Sequence, residues 1–587
     1  MLKTRRRTVA TLAIGSFIAR ETRYRCQRCT YRFGSEELRT LVPHRCRVGY
    51  DVLVQVGEAF FLHSRTSREI LQELRVRNIE LSVSEISYLA KKFIIYLALL
   101  HKQVQQRATA FLNLNGGYLL HLDGTCEGES PHLISVLDGI TEVVLDNVKM
   151  PSESSQDLIP FLQRIQSRFG EPIAVVSDMG KALIRAVQSV FPTRPHFLCH
   201  YHFLRDVGKD LLGADYQSIR TRLNQHGIQS ILRKRARELQ QRLGDQTAES
   251  VAALLSSLET EDLATAAAPS AELAAYTLMK WALVAKNHGQ GAGFPFDQPH
   301  LVFYQRLLIL HTFLHNCSGT RGARNRNERD LLTRIARDLA GIKKDAALRK
   351  AAASMEEKLP VFNQLRAAMR ITFPYTNHGL NDRGDLTNLK TIAKAVERFR
   401  NRLSRKINSQ GADRGYQQLI AQLDKYWGML FADPLVVETE AGPLIIQPQR
   451  TNNLMEQFFR ALMRSFRKRN GFEAMERILT TMLKDTPLVM NLRNKAFRQI
   501  LLDEKETLAD RFAEIDAEAV REELHRSSDA SDAVAAKLKK LFTSPNFPDS
   551  LLTLVSRKPA QITDTSVKPL SQIPSDDVVQ CSAGCRP

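Results

Sequence analysis

The chain has 587 residues, 43% hydrophobic and 25% charged, ordinary proportions for a globular protein. Its 83 Lys and Arg exceed its 63 Asp and Glu by 20, which suits a polyanionic partner, nucleic acid before anionic membrane, over a generally basic protein with no such partner. No apolar run reaches the ~18 residues that span a bilayer, and the eight cysteines, three of them near the N-terminus, do not read as a secreted disulfide framework.

The N-terminus, Met-Leu-Lys-Thr-Arg-Arg-Arg followed by a short apolar run, has the outline of a signal peptide. The run leads into Arg20, Arg23, Arg25 and Cys26 without a small-residue cleavage site, so a strand pair is expected. Cys26 and Cys29 form a C-x-x-C knuckle, and His44 and Cys46 offer a second, tighter pair of ligands. Two such pairs can close a tetrahedral zinc site; the alternative is a ribbon that packs without metal. Residues 1–62 are thus expected to be a zinc-ribbon-like basic module with one structural zinc, its arginines suited to DNA phosphates.

Over residues 63–112 the periodicity is helical. Thr66-Ser-Arg-Glu69 is a helix start, with Ile70, Leu71 and Leu74 as its apolar face. A break at Arg77-Asn78 precedes Leu81-Ser-Val-Ser-Glu85, a second capped start, and Ile86, Leu89, Phe93, Ile94 and Leu97. The pair fits a helix-turn-helix that binds DNA, and equally an αα-hairpin that only packs.

Tyr118 to Asp178 reads strand, strand, strand, helix, strand, with strands at Tyr118–Asp123, His132–Leu137, Thr141–Val148 and Ile173–Asp178 and a helix over Ser154–Phe169. A helix over Ala182–Val190 and a strand at His196–Cys199 follow. Asp123 and Asp178 each end an apolar strand, where an unpaired carboxylate is costly without a cation or hydrogen bonds. Glu127, Glu129, Asp138 and Asp146 sit in loops and turns, where solvation is the ordinary fate.

This order of elements, with the two aspartates and Cys199-His200-Tyr201-His202, resembles the RNase H-like core of DDE transposases, in particular the Mutator-like group and its bacterial insertion-sequence relatives. The resemblance implies an α/β RNase H-like catalytic core with a mixed five-stranded sheet, interrupted by a large all-α insertion. The family's Cys-x-x-His motif falls on Cys199 and His202. From Phe203 to about Phe431 strand signals nearly vanish, with helical spacing at Ile231–Leu243, Ser250–Leu258, Leu331–Ile342, Leu389–Ile407 and Tyr416–Leu430 and glycine-rich breaks at 288–293 and 378–384. Such a stretch is an independent helical domain or, by the resemblance, the insertion.

The resemblance also implies a third carboxylate on a helix beyond the insertion. Thr451-Asn452-Asn453 is a helix start through side-chain capping, and Glu456 follows in the first turns. Glu456, Arg460 and Arg464 share one helical face, and Arg467, Lys468 and Arg469 extend the basic run; an i,i+4 ion pair between Glu456 and Arg460 is the bland alternative. Glu438 and Glu440 compete as third acids, but the adjacent Gly442-Pro443 argues against a helix there. Cys581 and Cys585 lie in a Ser/Thr/Pro-rich tail expected to be loosely ordered.

The expected domains are 1–62, 63–112, 113–202 (first part of the core), 203–445 (insertion), 446–485 (catalytic helix), 486–545 (C-terminal helices) and 546–587 (tail). The resemblance implies a DNA transposase that cuts element ends and joins them to target DNA, with two Mg²⁺ or Mn²⁺ ions held by Asp123, Asp178 and Glu456. Arg460, Arg464, Arg467 and Lys468 would meet DNA. Double-stranded DNA and further copies of the chain are the expected partners, with no membrane and a bacterial cytoplasmic, nucleoid-associated setting. Two rival readings are a catalytically silent DNA-binding descendant and an RNase H-like nuclease without strand transfer.

Overall fold

The computed structural model describes residues 3–29, 31–33, 36–43, 46–244, 247–259, 269–287, 289, 291–319, 326–371, 389–410, 413–431, 433–439, 442–447, 451–471, 474–529 and 546–556. His44, Glu440, the 378–384 break and Cys581 and Cys585 lie outside them. The chain divides into two units, Met1–Asp532 and Ala533–Pro587. In the second, the described structure is one helix, Phe547–Ser556.

The first unit opens with β1 (Lys3–Thr11) and β2 (Gly15–Arg25), an antiparallel pair whose turn ends at Gly15 with φ of 81°. β3 (Arg32–Phe33) joins the free edge of β2. Two helices, Ser67–Val76 and Val83–Gln103, follow the helix Tyr50–Phe61, and each begins with a complete capping box, Thr66 with Glu69 and Ser82 with Glu85. Both helices fall where the caps placed them. The second runs deep into the core, burying Phe93, Ile94, Tyr96 and Leu97, and exposes Val83, Ser84, Ser87 and Tyr88 in its first turns.

The central sheet comprises β4 (Leu119–Thr125), β5 (His132–Asp138), β6 (Val144–Met150), β7 (Ala174–Ser177) and β8 (His196–Leu198) in the order β6-β5-β4-β7-β8. β5 is antiparallel to β4 and β6, while β7 is parallel to β4 and to β8. The sheet is therefore mixed, as expected. β4, β6, β7 and β8 all run the same way, so their C-terminal ends share one edge. Helices Ser155–Phe169 and Lys181–Val190 cover one face through Leu158, Leu162, Leu183 and Val187. On the other, a small cluster of Leu119, Ala174, Val176 and Phe197 meets Leu435 and Ile446 of the hairpin β9 (Leu435–Thr439) and β10 (Gly442–Ile446).

The helix His200–Gln225 starts directly after Cys199, so the expected boundary between core and insertion at 202/203 falls inside one helix. All five helices expected from spacing are present, joined by Ala271–Leu283, Pro299–Gly319 and Ala346–Ala368. They bury a separate apolar core, with Phe203, Met279, Leu307, Met355, Phe362 and Phe399 among its members.

The chain then returns to the first core. The helix Asn453–Asn470 buries Met455, Phe458, Phe459, Leu462, Met463 and Phe466 there, at i, i+3, i+4 spacing. Asn491 acts as a substitute strand residue at the outer edge of β6, accepting from the Val144 N–H at 2.7 Å and donating to its carbonyl at 2.9 Å. Helices Lys495–Leu502 and Leu508–Ala513 close against the N-terminal helices. Phe512 meets Phe93 edge-on and Tyr96 at a tilt, with ring centroids 5.6 and 5.1 Å away, and Arg498 pairs with Glu58 at 2.9 Å.

Candidate active site

The shared C-terminal edge of four strands gathers the chemistry. β4 brings Asp123 there, and Asp178 follows the last residue of β7. Cys199 and His202 follow β8, and Glu153 sits three residues beyond β6. The carboxyl of Asp123 is buried, with the Gly124 N–H at 2.8 Å as its hydrogen-bond donor. Burial, then the charges of Asp178, Glu456 and Glu153, raise its pKa well above the usual carboxylate range. Asp178 accepts from the Gly180 N–H at 3.0 Å. Glu456 is half-buried, and burial raises its carboxyl, with Arg460 and Arg205 opposing. It makes no ion pair within 4.0 Å among the described residues, so the bland Glu456–Arg460 bridge does not form.

Glu153 was not singled out from sequence. A Cβ built on Gly180 would lie 3.0 Å from a Glu153 carboxylate oxygen and 3.2 Å from one of Asp178. The two carboxylates are thus within the ~6 Å over which like charges raise each other. Burial and Asp178 push Glu153 up to about 7. The signal that would have found it is the direction of β6: a carboxylate just past its end must reach the same edge as Asp123. Arg205, one turn beyond His202, was also missed; its Nε is buried without a hydrogen-bond partner.

A hydrogen-bonded brace carries the start of the helix Asn453–Asn470 to the sheet. The Asn452 N–H donates to Cys199 Sγ at 3.3 Å, and Cys199 N–H donates to the Ser177 carbonyl at 2.9 Å. Burial pushes the Cys199 thiol up to about 12, which keeps it a neutral acceptor. The side chain of Asn452 does not cap its own helix, contrary to the sequence expectation. It faces inward instead, donating to the Leu122 carbonyl at 3.3 Å and accepting from His121 Nδ1 at 3.0 Å. Those buried partners outcompete a local N–H, since an unmet polar group in the interior is costly. His121, lowered to about 4 by burial, is neutral, and its contact with the amide oxygen fixes the Nδ1–H tautomer.

His202 is also held neutral by burial, near 4, with Asp178 the nearest opposing influence, and its Nδ1 has no partner. Arg460, Arg464, Arg467 and Lys468 are exposed along the outer face of their helix. Arg469 is not. It is buried against Phe60, 3.7 Å from its ring centroid, and donates to the Phe60 carbonyl at 3.0 Å.

The other acids have structural duties. Asp146 pairs with Arg164 and Arg168, each at 2.9 Å. Asp138 closes a turn by accepting from Leu119, Ile140 and Thr141. Glu127 accepts from the Glu476 N–H at 3.0 Å, Glu476 accepts from the Glu129 N–H at 2.9 Å, and Glu438 lies exposed on β9.

Cys26 and Cys29 face each other in the β2–β3 turn, which the Cys26 N–H closes onto the Tyr31 carbonyl at 2.8 Å. Cys46 instead accepts from Lys92 Nζ at 2.8 Å. Among the described residues no group of three or more His, Cys, Asp or Glu side chains stands ready to hold a metal.

The acid site nonetheless fits a hard divalent cation. Its donors are carboxylate oxygens, Asp123 has no cationic partner within 4.0 Å among the described residues, and its raised pKa records negative charge without neutralisation. Magnesium is usually held by one or two carboxylates plus waters and substrate phosphates, so a complete protein cage is not required. Comparison with protein-family models and with curated proteins finds no match to this chain.

Proposed function

We propose that the protein is a DDE-type DNA transposase with an RNase H-like core, cutting DNA at element ends and joining the freed 3′-hydroxyl to target DNA. One observation carries this reading: Asn452, at the start of the helix of Glu456 and beyond the whole helical insertion, donates to the carbonyl of Leu122, the neighbour of Asp123, and the charges of Asp178 and Glu456 both act on the buried Asp123 carboxyl. The strand order β6-β5-β4-β7-β8 and the interrupted core support it as well.

Asp123, Asp178 and Glu456 would hold the divalent ions. Bound there, such ions supply Lewis-acid stabilisation of the phosphodiester and lower the pKa of an attacking water or hydroxyl. The chain's own residues do the rest. The Asn452–Cys199–Ser177 brace fixes Glu456 relative to the two aspartates. Exposed Arg460, Arg464, Arg467 and Lys468 offer charge to DNA phosphates. The neutral, partner-free His202 Nδ1 and the Arg205 Nε lie beside the acids as uncommitted polar groups. The basic β1–β3 module and the exposed first turns of Val83–Gln103 would recognise the ends.

The test is strand cleavage and joining on element-end DNA with Mg²⁺ or Mn²⁺. Asp123→Asn, Asp178→Asn and Glu456→Gln should each lower the rate by at least about 10³-fold, comparable to losing a major electrostatic stabiliser, with DNA binding nearly intact. Wild-type activity in any one removes that residue from the site. Cutting without joining would mark a nuclease, and binding without cutting a silent descendant.

A further inference from the structure

The helix Leu389–Gln410 turns a basic stripe to solvent. Lys390, Lys394, Arg398, Arg402 and Arg405 recur every three or four residues and are all exposed, with Glu397 at the margin. The opposite side is core, through Ile392, Val396, Phe399 and Leu403. Several other cations of this helical region are matched within the fold, Arg235 with Asp338, Arg222 with Asp345 and Lys358 with Asp215, as is Arg400 of the same helix with Asp424, whereas exposed Arg233, Lys234 and Arg237 have no carboxylate within 4.0 Å among the described residues. Along the stripe, Lys390 reaches Asp433, but no carboxylate lies within 4.0 Å of Lys394, Arg398, Arg402 or Arg405 among the described residues.

Like charges one helical turn apart destabilise a helix. A row of them with no internal partner is a surface whose charge balance comes from outside. At 1.5 Å per residue the stripe runs about 22 Å, matching roughly six base-pair steps of 3.4 Å. An acidic protein patch has no such regular spacing, whereas a duplex backbone does.

We infer that this stripe is a second duplex-DNA surface, separate from the basic face of Asn453–Asn470, which grips phosphates without reading sequence. The inference rests on the proposed handling of DNA and not on the cutting chemistry. Through it the protein would hold duplex away from the acid site, adding length to the footprint.

The probe is a fluorescein-labelled duplex of arbitrary sequence, titrated with the full chain across a salt series by anisotropy. Replacing Lys394, Arg398, Arg402 and Arg405 together by Gln should flatten the slope of log affinity against log salt by about 3 to 4, near 0.9 per lost phosphate contact. Because all four are exposed and their mutual repulsion is relieved, the thermal midpoint should hold or rise. Should the fourfold variant not fold, Lys394→Gln/Arg405→Gln is read the same way at about half the effect. A slope equal to wild type overturns the inference, even where metal-dependent cutting persists. A flattened slope in a protein that never cuts DNA leaves the stripe standing and removes the transposase reading.

Discussion

Asp123 is the residue on which chemistry and stability pull in opposite directions. Its carboxyl is raised in the folded chain, so the folded state binds a proton more tightly than the unfolded one. That contribution is present below the ordinary Asp value and is lost as pH rises through the folded value. Metal-free protein should therefore carry an electrostatic penalty near neutrality. Asp123→Asn is expected to raise the neutral-pH melting midpoint by about 2 °C or more, with the gap closing on acidification. A variant that melts below wild type at every pH would contradict this. Glu153 follows the same sign between 4.5 and about 7, and Glu153→Gln should behave alike. The two aspartates were legible in sequence because each ends a short apolar run of strand type. Glu153 was not, since it lies in a loop three residues past β6, and only the shared direction of β6 and β4 brings that loop to the edge of Asp123.

Among the elements, the helix Asn453–Asn470 shows what local rules miss. Thr451-Asn-Asn marks its start correctly, and Glu456 falls in its first turn. The reason assigned from sequence, side-chain capping, is overridden by tertiary partners: Asn452 braces β4 through Leu122 and His121. Asn452→Ala strands two buried groups and should cost about 1–3 kcal/mol. Cutting should fall further than stability does, measured as activity against a denaturant midpoint. The helix Val83–Gln103 gives a second case. His101 in its last turn stays neutral at about 4, its Nδ1–H donating to Leu97 and its Nε2 accepting from Asn491. Its folded value is depressed, so the stability it contributes is full above the unfolded value of 6.5 and disappears as pH falls toward 4. His101→Gln should flatten that acid-side loss in melts taken between those pH values.

Across the Met1–Asp532 unit, the helical region forms one core, which Leu198 of β8 and Ile184 also join, while the first and last parts of the unit share another. Composition and period located the helices, but not this sharing: Phe512 and Phe93 lie far apart in sequence, and no local pattern links them. Phe512→Ala should cost about 3–5 kcal/mol, seen as a loss in urea midpoint, and should loosen the N-terminal helices although it touches neither Asp123 nor Glu456. The distance along the chain between Asp178 and Glu456 has a consequence in time. A ribosome that has released the first 450 residues has made both aspartates and the basic N-terminal module, yet no third acid. In the proposed reaction the nascent protein can meet DNA long before it can cut it, and any gene copy truncated before that point encodes a competitor for the ends instead of an enzyme.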